Sequence, residues 1–404
     1  MTFPSSKITY ITRDIERALG LPPTVTFQIV SNKTPIASEV CKEYPEFVFL
    51  MDSFTGTPLN TAGLMEHPDT TKLLPFGSSI LVFKNNQQIE ALAKKQGWNL
   101  LNPSAALAEQ VENKMTQIEW LGDLTKYLPA HEITLVKDIT WNEEPFILQW
   151  AHGHTGDSTL LIQVEKDLAS LKQKFPERLT RKSAFIRGSS FTVNAVVAED
   201  KILIANVSYQ ITGIEPFTEN AFTTVGNDWA LTHSLLDTHE VEYIETMVGD
   251  IGNKLRVSGW RGLFGVDIMR DEERNTIYLI EINARQPAST SFESFLQSEN
   301  RLLGVAGLTT FEAHIKALLK EPITEKLILI NDGAQIVQRV TSKTRSIKKN
   351  SIEKLGSDGY TVLSYINTEP NTDLLRIQSP RGIMESHTNF NERGKEITEL
   401  LAGK

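Results

Sequence analysis

The sequence has one cysteine, Cys41, and no apolar run long enough to span a bilayer. A single cysteine cannot form an intrachain disulfide, which fits a reducing compartment. A membrane-spanning helix needs about 20 apolar residues, and the start of the chain also lacks the apolar core of a secretory signal. We therefore expect a cytoplasmic protein that does not act at a membrane.

Excess positive charge is also missing, since 41 Lys and Arg residues stand against 50 Asp and Glu residues, for a net charge of −9. This balance argues against a nucleic-acid partner, although a local basic site for a phosphate-bearing small molecule is compatible with it. The sequence shows no internal repeat and no low-complexity tract. At 404 residues, of which 40% are hydrophobic, it can form two or three domains with sizeable cores.

The first hundred residues alternate between two kinds of pattern. Apolar runs predict strands at 25–31, 46–51 and 78–84, and an amphipathic run predicts a helix at 86–97. Strand–helix–strand alternation is typical of an open, mostly parallel α/β domain, which we assign to residues 1–104.

The rest of the chain mixes helices with hairpin-like strands, a pattern that predicts an α+β architecture. We assign residues 105–320 to a central domain, with a subdomain at about 128–183, and residues 321–404 to a small C-terminal lobe. Within the lobe, short apolar runs predict strands, the first at 326–332, and the final helix is predicted at 391–402.

The stretch "LFGVDIMRDEERNTIYLIEINARQPAS", residues 263–289, predicts two strands around a charged turn. If the turn is 271–275, the even-numbered residues of the two strands face each other in apolar pairs, which predicts that they face the core. In that register Asp267 lies opposite Leu279, and Glu281 is its diagonal neighbour on the same face. Asn283 extends this polar line, and Arg285 lies just beyond the strand.

Two carboxylates on one face can share a hard divalent cation, and Mg²⁺ prefers oxygen ligands and keeps substrate phosphates in its shell. The alternative is that both acids face solvent or pair with Lys or Arg, as most acids on strands do. The metal site is favoured because Asn283 can supply a further oxygen ligand and Arg285 can contact an anion.

The stretch resembles the metal-binding hairpin of the ATP-grasp superfamily, in which an acidic strand residue precedes a Glu-x-Asn-x-Arg motif. The resemblance implies an ATP-grasp fold preceded by an α/β (pre-ATP-grasp) domain. It implies that Asp267, Glu281 and Asn283 hold Mg²⁺, two ions in the family, with Mn²⁺ as a possible substitute, against the phosphates of ATP. Arg285 would be the catalytic residue that stabilises an acyl-phosphate or its transition state.

Other segments match the same family in order. Lys114, in "ENKMTQIEWL", matches a lysine that contacts phosphate or nucleotide, although a solvated helix lysine is the alternative. "PFILQWAHGHTGDSTLLIQV" resembles a strand followed by a glycine-rich lid, although a surface hairpin turn would have the same composition. The phosphate contacts implied in this segment are Gly153, Thr155 and Gly156.

Gln149 departs from the family pattern, which has lysine or arginine on this strand. The alternatives are that Lys137 or an arginine elsewhere compensates for the missing charge, or that nucleotide affinity is low. "RKSAFIRGSSFTVNAVVAEDKILIANVSYQ" resembles the segment containing the adenine-binding hinge. The backbone of Ala184, Phe185 and Ile186 would then meet the adenine edge.

The resemblance implies an ADP-forming ligase that activates a small-molecule carboxylate as an acyl-phosphate for attack by an amine, and a homodimer is compatible with it. One alternative is a carboxylase-like enzyme that activates bicarbonate, but such relatives have a glutamate where this chain has Ser289. Another is a nucleotide-binding protein that has lost catalysis. Gln149 favours this alternative, and the presence of all three metal ligands, Asp267, Glu281 and Asn283, opposes it. The sequence does not identify the carboxylate or the amine.

Overall fold

The computed structural model describes residues 3–53, 56–151 and 159–402. Its first sheet has five parallel strands in the order β3-β2-β1-β4-β5. The strands are β1 (Ile8–Thr12), β2 (Phe27–Asn32), β3 (Val48–Met51), β4 (Ser79–Val82) and β5 (Asn99–Leu100). The helices that accompany them are α1 (Pro35–Glu43), α2 (Thr61–Glu66), α3 (Pro68–Leu73) and α4 (Gln87–Gln96), with a 3₁₀ turn at Ile15–Ala18.

The prediction of an open parallel α/β domain is confirmed. The helix predicted at 86–97 is α4, which ends at Gly97 in the left-handed conformation, with φ of 67°. The central strand β1 was not predicted from the sequence, although all five of its residues are buried. It is short and begins directly after a polar segment, so it gives little periodic signal.

A helical segment connects this sheet to the rest of the chain. It consists of α5 (Ala105–Glu112), α6 (Thr116–Leu121) and a 3₁₀ helix at Gly122–Tyr127. The helical segment is interrupted at 113–115, where the Asn113 side chain accepts a hydrogen bond from the backbone N–H of Met115. This break places Lys114 between two helices rather than on the exposed face of one.

A small antiparallel sheet follows, with strand order β6-β9-β7-β8. Its strands are β6 (His131–Leu135), β7 (Phe146–Gln149), β8 (Thr159–Ile162) and β9 (Leu179–Ala184), and α7 (Glu165–Lys174) packs beside them, with a 3₁₀ turn at Val136–Asp138. The apolar residues Ile139, Phe146, Leu148, Ile162 and Leu168 form its own core. The mixture of helices and hairpin-like strands predicted beyond residue 104 is present here.

An antiparallel sheet of eight strands dominates the remainder, in the order β14-β13-β10-β11-β12-β15-β17-β16. The strands are β10 (Ser190–Val197), β11 (Ile202–Thr212), β12 (Thr224–Asp228), β13 (Gly262–Asp271), β14 (Thr276–Asn283), β15 (Ala334–Arg339), β16 (Thr361–Ser364) and β17 (Asp373–Ser379). The helices are α8 (Trp229–Leu235), α9 (Thr238–Val257), α10 (Thr290–Leu302), α11 (Thr310–Leu318), α12 (Lys349–Ser357) and α13 (Glu392–Leu401). A short hairpin, β18 (Met384–Ser386) and β19 (Asn389–Phe390), precedes α13.

The two faces of the large sheet differ in chemistry. On one face the strands and α9 form the largest apolar core, to which Phe191, Val193 and Tyr209 belong. Because side chains alternate along a strand, the residues between them, such as Thr192, Ser208 and Gln210, lie on the opposite face. The candidate site lies on this second, polar face.

The register predicted for the β13–β14 hairpin is wrong, although its two acids do share a face. Near the turn Ile268 pairs with Leu279, but further along Asp267 pairs with Glu281, because a bulge leaves Ile280 as an extra residue. Before the bulge, the core residues of β14 are the odd-numbered Ile277 and Leu279; after it, the core residue is the even-numbered Ile282. The bulge also places the two carboxylates directly opposite each other.

The predicted strand at 326–332 is also wrong. This segment forms a single bridge, between Leu308 and Leu327. Side-chain amides satisfy its backbone instead, since Asn206 accepts from Ile330 N at 3.0 Å and Gln297 donates to Ile328 O at 2.9 Å. The strands predicted further along are present as β15, β17 and β16, and they extend the large sheet. No helix in the described part of the chain is long and apolar enough to cross a membrane.

Asp228 fastens the C-terminal segment to the large sheet, and its removal should be costly. Its buried carboxylate caps α8 by accepting from Leu231 N at 2.9 Å, and it also accepts from Ile383 N at 2.7 Å and Met384 N at 2.9 Å. Losing a cap costs about 1 kcal/mol, and each buried amide left unpaired costs about 1–3 kcal/mol more. We therefore expect Asp228→Ala to lower the free energy of unfolding by several kcal/mol in urea titrations.

Asp237→Ala is the matched control, because Asp237 caps α9 at an exposed position by accepting from Glu240 N. We expect it to cost about 1 kcal/mol. Equal losses in the two variants would contradict the bridging role of Asp228.

Candidate active site

The site centres on the paired carboxylates of Asp267 and Glu281 on the polar face of the large sheet. Three neighbours fix the Asp267 carboxylate. Thr192 Oγ1 donates to its Oδ1 at 2.6 Å, Gln210 Nε2 donates to the same oxygen at 2.8 Å, and Asn283 Nδ2 donates to its Oδ2 at 2.9 Å. Strands β10, β11 and β14 therefore hold this group in one orientation.

Cations surround the two acids. Lys114, which is 5% exposed, places its Nζ 2.8 Å from Glu281 Oε1. Arg285 donates from Nη2 to Asn283 Oδ1 at 2.7 Å, and its Nε lies 3.4 Å from Glu112 Oε1. Glu112 in turn pairs with Lys84 at 2.6 Å. The four predicted residues of the hairpin and Lys114 thus come together in one cluster.

The two carboxylates differ in acidity. Burial, and then the charge of Glu281, raise the pKa of Asp267 to about 6, against the opposing effect of its hydrogen bonds. Burial also raises the pKa of Glu281, but the charges of Lys114, Arg285 and Arg181 outweigh it, so this pKa lies below its ordinary value. A cation shared by the pair would favour the ionised form of both acids.

Gln149 lies at the end of β7 and is buried beside an arginine that the sequence did not single out. Arg181 on β9 is its direct strand partner. The Arg181 guanidinium donates to Gln149 Oε1 from Nη2 at 2.6 Å and from Nε at 3.1 Å. The other candidate cation, Lys137, pairs instead with Glu177 at 2.9 Å and is half exposed.

The predicted adenine-contacting residues lie where the chain passes from the small sheet to the large one. Ala184 ends β9, and its N–H donates to Ala130 O at 2.9 Å. Within the described ranges, the backbone groups of Phe185 and Ile186 form no hydrogen bond. A segment that binds the adenine edge through its backbone needs such groups. Gly153, Thr155 and Gly156 lie outside the described residues.

The α/β sheet meets the site at its topological switch point. Strands β2 and β4 flank β1 on opposite sides, and ligands of open α/β sheets bind beyond the carboxyl ends of strands at such a point. Beyond β1, Arg17 donates to Ala288 O at 3.1 Å and accepts from Gln286 Nε2 at 2.7 Å. A cavity between the sheet and the hairpin is lined by residues that include Phe83, Asn102, Arg285 and Gln286.

A buried cluster anchors the segment that carries Arg285. Asn194 on β10 donates to Ser289 Oγ at 3.0 Å and to Glu293 Oε2 at 2.8 Å. Burial raises the pKa of Glu293 to about 7, against the opposing effect of its hydrogen bonds. Ser289 thus forms a hydrogen bond with Asn194 of the large sheet. It is the position at which the carboxylase-like relatives have a glutamate.

Sequence reasoning missed several of these residues. Thr192 and Asn194 in "SFTVNAVV", and Ser208 and Gln210 in "ILIANVSYQIT", are polar residues at spacing two in buried strands, the same signal that identified the hairpin. Arg181 had no such signal, because it precedes Lys182 and the two look like a pair of solvated cations.

Comparison with known proteins fits this geometry. A family model described as an ATP-grasp domain matches residues 111–289, a range that includes Lys114, Gln149 and the hairpin. Residues 111–289 form an ATP-grasp domain.

Solved structures with the same fold cover nearly the whole chain. N5-carboxyaminoimidazole synthetase from Staphylococcus aureus has a TM-score of 0.65 and 13% identity, covering 100% of both chains. L-amino acid ligase from Bacillus licheniformis has a TM-score of 0.60 and 13% identity, covering 99% of this chain and 98% of that one.

A third similar structure is the biotin carboxylase domain of Hydrogenobacter thermophilus 2-oxoglutarate carboxylase, a dimer with MgADP and bicarbonate. It has a TM-score of 0.64 and 13% identity, covering 94% of this chain and 87% of that one. At these identities the similarity establishes the fold. A comparison with curated proteins gave no match.

The ATP-grasp hairpin of this chain fits Mg²⁺ in combination with phosphate. It offers two facing carboxylates and the Asn283 amide. All three groups have oxygen atoms that can act as metal ligands, which suit a hard cation. Over the described residues no cluster of three or more His, Cys, Asp and Glu could hold a metal ion. The protein ligands are thus too few for a closed site, and nucleotide phosphates would have to supply the remaining oxygens.

The buried Glu293 makes the stability of the ATP-grasp domain depend on pH. Because the pKa of Glu293 is about 7 in the native chain and 4.5 is its ordinary value, the unfolded chain loses this proton first as pH rises. Stability should therefore fall between about pH 4.5 and pH 7. Relative to Glu293→Gln, the wild type should lose up to about 3 kcal/mol over this window in chemical denaturation.

Glu299→Gln, at an exposed position on the same helix, should keep the wild-type pH dependence. If the Glu293→Gln variant and the wild type show the same pH profile, folding does not raise the pKa of Glu293 and the assignment is wrong.

Proposed function

We propose that this chain is an ATP- and Mg²⁺-dependent, ADP-forming ligase that activates a carboxylate as an acyl-phosphate for attack by an amine, forming an amide or peptide-like bond. The observation that carries the proposal is the facing pair Asp267 and Glu281 inside an ATP-grasp domain. Asn283 and Lys114 contact the pair directly, and Arg285 donates to Asn283. We also propose the domain limits 1–104, 105–320 and 321–404.

Each residue has a chemical role in this proposal. Asp267, Glu281 and Asn283 would hold Mg²⁺, which when bound neutralises charge on the transferring phosphoryl group. Lys114, now paired with Glu281, would contact the nucleotide phosphates. The backbone of residues 184–186 would bind the adenine edge, and Gly153, Thr155 and Gly156 would cover the phosphates.

The crevice at the switch point of the α/β sheet suits the carboxylate substrate. Arg285 and Phe83 line it, the Arg17 guanidinium lies over the Phe83 ring at 4.9 Å, and Lys84 is the next residue after Phe83. Lys84 and Arg285 both contact Glu112, which orients them without neutralising both charges. An anionic group entering here would meet Arg285, which can stabilise the negative charge that develops during phosphoryl transfer.

Activation of bicarbonate is the second candidate. The Hydrogenobacter thermophilus domain, whose structure contains bicarbonate and MgADP, has nearly the same fold over 94% of this chain. Against this function, Ser289 replaces the carboxylase glutamate, and Glu293, one helical turn further on, is fully buried against Asn194. A homodimer, as in that domain, stays a prediction for this chain.

Turnover should depend on Glu281. We expect the wild type to release ADP from MgATP when carboxylate and amine mixtures are supplied, and Glu281→Gln to reduce the rate by at least about 100-fold, since a metal ligand is lost. Glu273→Gln is the control on the same hairpin, because Glu273 is exposed in the turn, and it should retain the wild-type rate. The measurement is a coupled ADP-release assay, with melting temperatures to confirm folding.

The substrate set distinguishes the candidates. ADP release that requires an organic carboxylate supports the ligase, and release with bicarbonate alone supports the second candidate. Nucleotide binding without turnover under any mixture would contradict both. Undiminished activity of Glu281→Gln would overturn the metal assignment.

A further inference from the structure

Arg181 is a buried cation at the junction of the two sheets. Only 3% of the residue is exposed, and it lies on β9 between Ile133 of β6 and Gln149 of β7. Its side chain leaves the small sheet and reaches the large one, where Nη2 lies 3.4 Å from the carbonyl oxygen of Ile280. Ile280 is the extra residue of the bulge that sets Glu281 opposite Asp267.

All the hydrogen-bond acceptors of Arg181 in the described part of the chain are neutral. They are Gln149 Oε1, Gln117 Oε1 at 3.0 Å and the Ile280 carbonyl. Of the carboxylates in the described ranges, none forms an ion pair with the guanidinium. Burial lowers the pKa of Arg181 to about 10, and the negative charge of Glu281 opposes that effect.

A buried charge is expensive to desolvate unless an opposite charge compensates it. Arginine is nevertheless protonated at neutral pH, even with this lowered pKa. Glutamate at 117 or 149 would have neutralised the guanidinium, whereas glutamine positions it through hydrogen bonds and leaves its charge available. The side chain is therefore held ready for an anion that the described residues do not provide.

The surroundings indicate where the anion would lie. Lys114 Nζ lies 2.8 Å from Glu281, Arg181 reaches the carbonyl oxygen of the preceding residue, Ile280, and Arg285 donates to Asn283, two residues further along the strand. Three cations thus converge on the end of β14 that carries the candidate metal ligand. Glu281 remains 37% exposed, so the space beside it is accessible to a ligand. A polyphosphate bound with a divalent cation carries the charge that this arrangement lacks.

We propose that Arg181 binds the nucleotide phosphates, and that it provides from β9 the positive charge that Gln149 on β7 cannot provide. Gln149 and Gln117 are then positioning residues that aim the guanidinium. The inference rests on the nucleotide site of the proposed function, and it assigns a role to a residue that the hairpin motif does not contain.

The test is isothermal titration of Mg²⁺-ATP and of Mg²⁺-tripolyphosphate, the latter being a probe without adenine or ribose. Because charge-assisted hydrogen bonds would be lost, Arg181→Gln should weaken both ligands about 10- to 100-fold. Moving the charge to β7 in the double variant Gln149→Lys/Arg181→Gln should restore binding to within about 5-fold of wild type.

Lys182→Gln is the matched control, because Lys182 is the next residue on β9, faces the other side of the strand and pairs with Glu132 at 3.1 Å. It removes the same charge from the same strand and should leave both affinities unchanged. Melting temperatures of all variants separate folding from binding. If Arg181→Gln does not fold, the double variant decides, because it retains the positive charge.

Three outcomes overturn the inference. If the wild type binds ATP and Arg181→Gln binds equally well, or loses only melting temperature, Arg181 is a structural residue while the proposed function stands. If the folded double variant fails to bind tripolyphosphate, the charge at this junction is not a phosphate contact. If the wild type binds neither ATP nor tripolyphosphate, both the inference and the proposed function fail.

Discussion

The site depends on one constraint, that two carboxylates on neighbouring strands occupy directly opposed positions of a largely buried sheet. The bulge at Ile280 creates this arrangement, because it moves Glu281 opposite Asp267 while Leu279 and Ile282 both stay in the core. Like charges in such positions repel each other and are costly to bury, so they require compensation. The surrounding polar contacts can be understood as that compensation: hydroxyl and amide donors fix one carboxylate, and a buried lysine pairs with the other.

Compensation also explains why the site draws residues from four separate parts of the fold. Lys114 comes from the break between two helices, Arg181 from the small sheet and Arg285 from the segment beyond the hairpin. The α/β sheet adds Lys84 through Glu112. A site assembled from separate elements requires that these elements are correctly packed, and the buried Asn194 anchors one of them, the segment that follows Arg285, to β10.

Much of this could be predicted from the sequence, and the exceptions have physical reasons. Acids in otherwise apolar strands identified the hairpin, because burial leaves few other roles for such residues. The register was wrong because the alternation of apolar residues does not reveal a bulge when the extra residue, Ile280, is itself apolar. Thr192 and Gln210 followed the same period-two rule and could have been found. Arg181 could not, since its significance depends on neutral partners from α6 and β7 that are 64 and 32 residues away.

The central claim is that the hairpin binds a divalent cation together with nucleotide phosphate. Electron paramagnetic resonance of Mn²⁺ tests it most directly, comparing wild type with Asp267→Asn in the presence and absence of ATP. Because the hairpin offers only two carboxylates and one amide, we expect tight Mn²⁺ binding by the wild type only when ATP is present, and at least about tenfold weaker binding by the variant. ATP binding that is independent of the metal, or Mn²⁺ binding that is equal in the two proteins, would contradict the account.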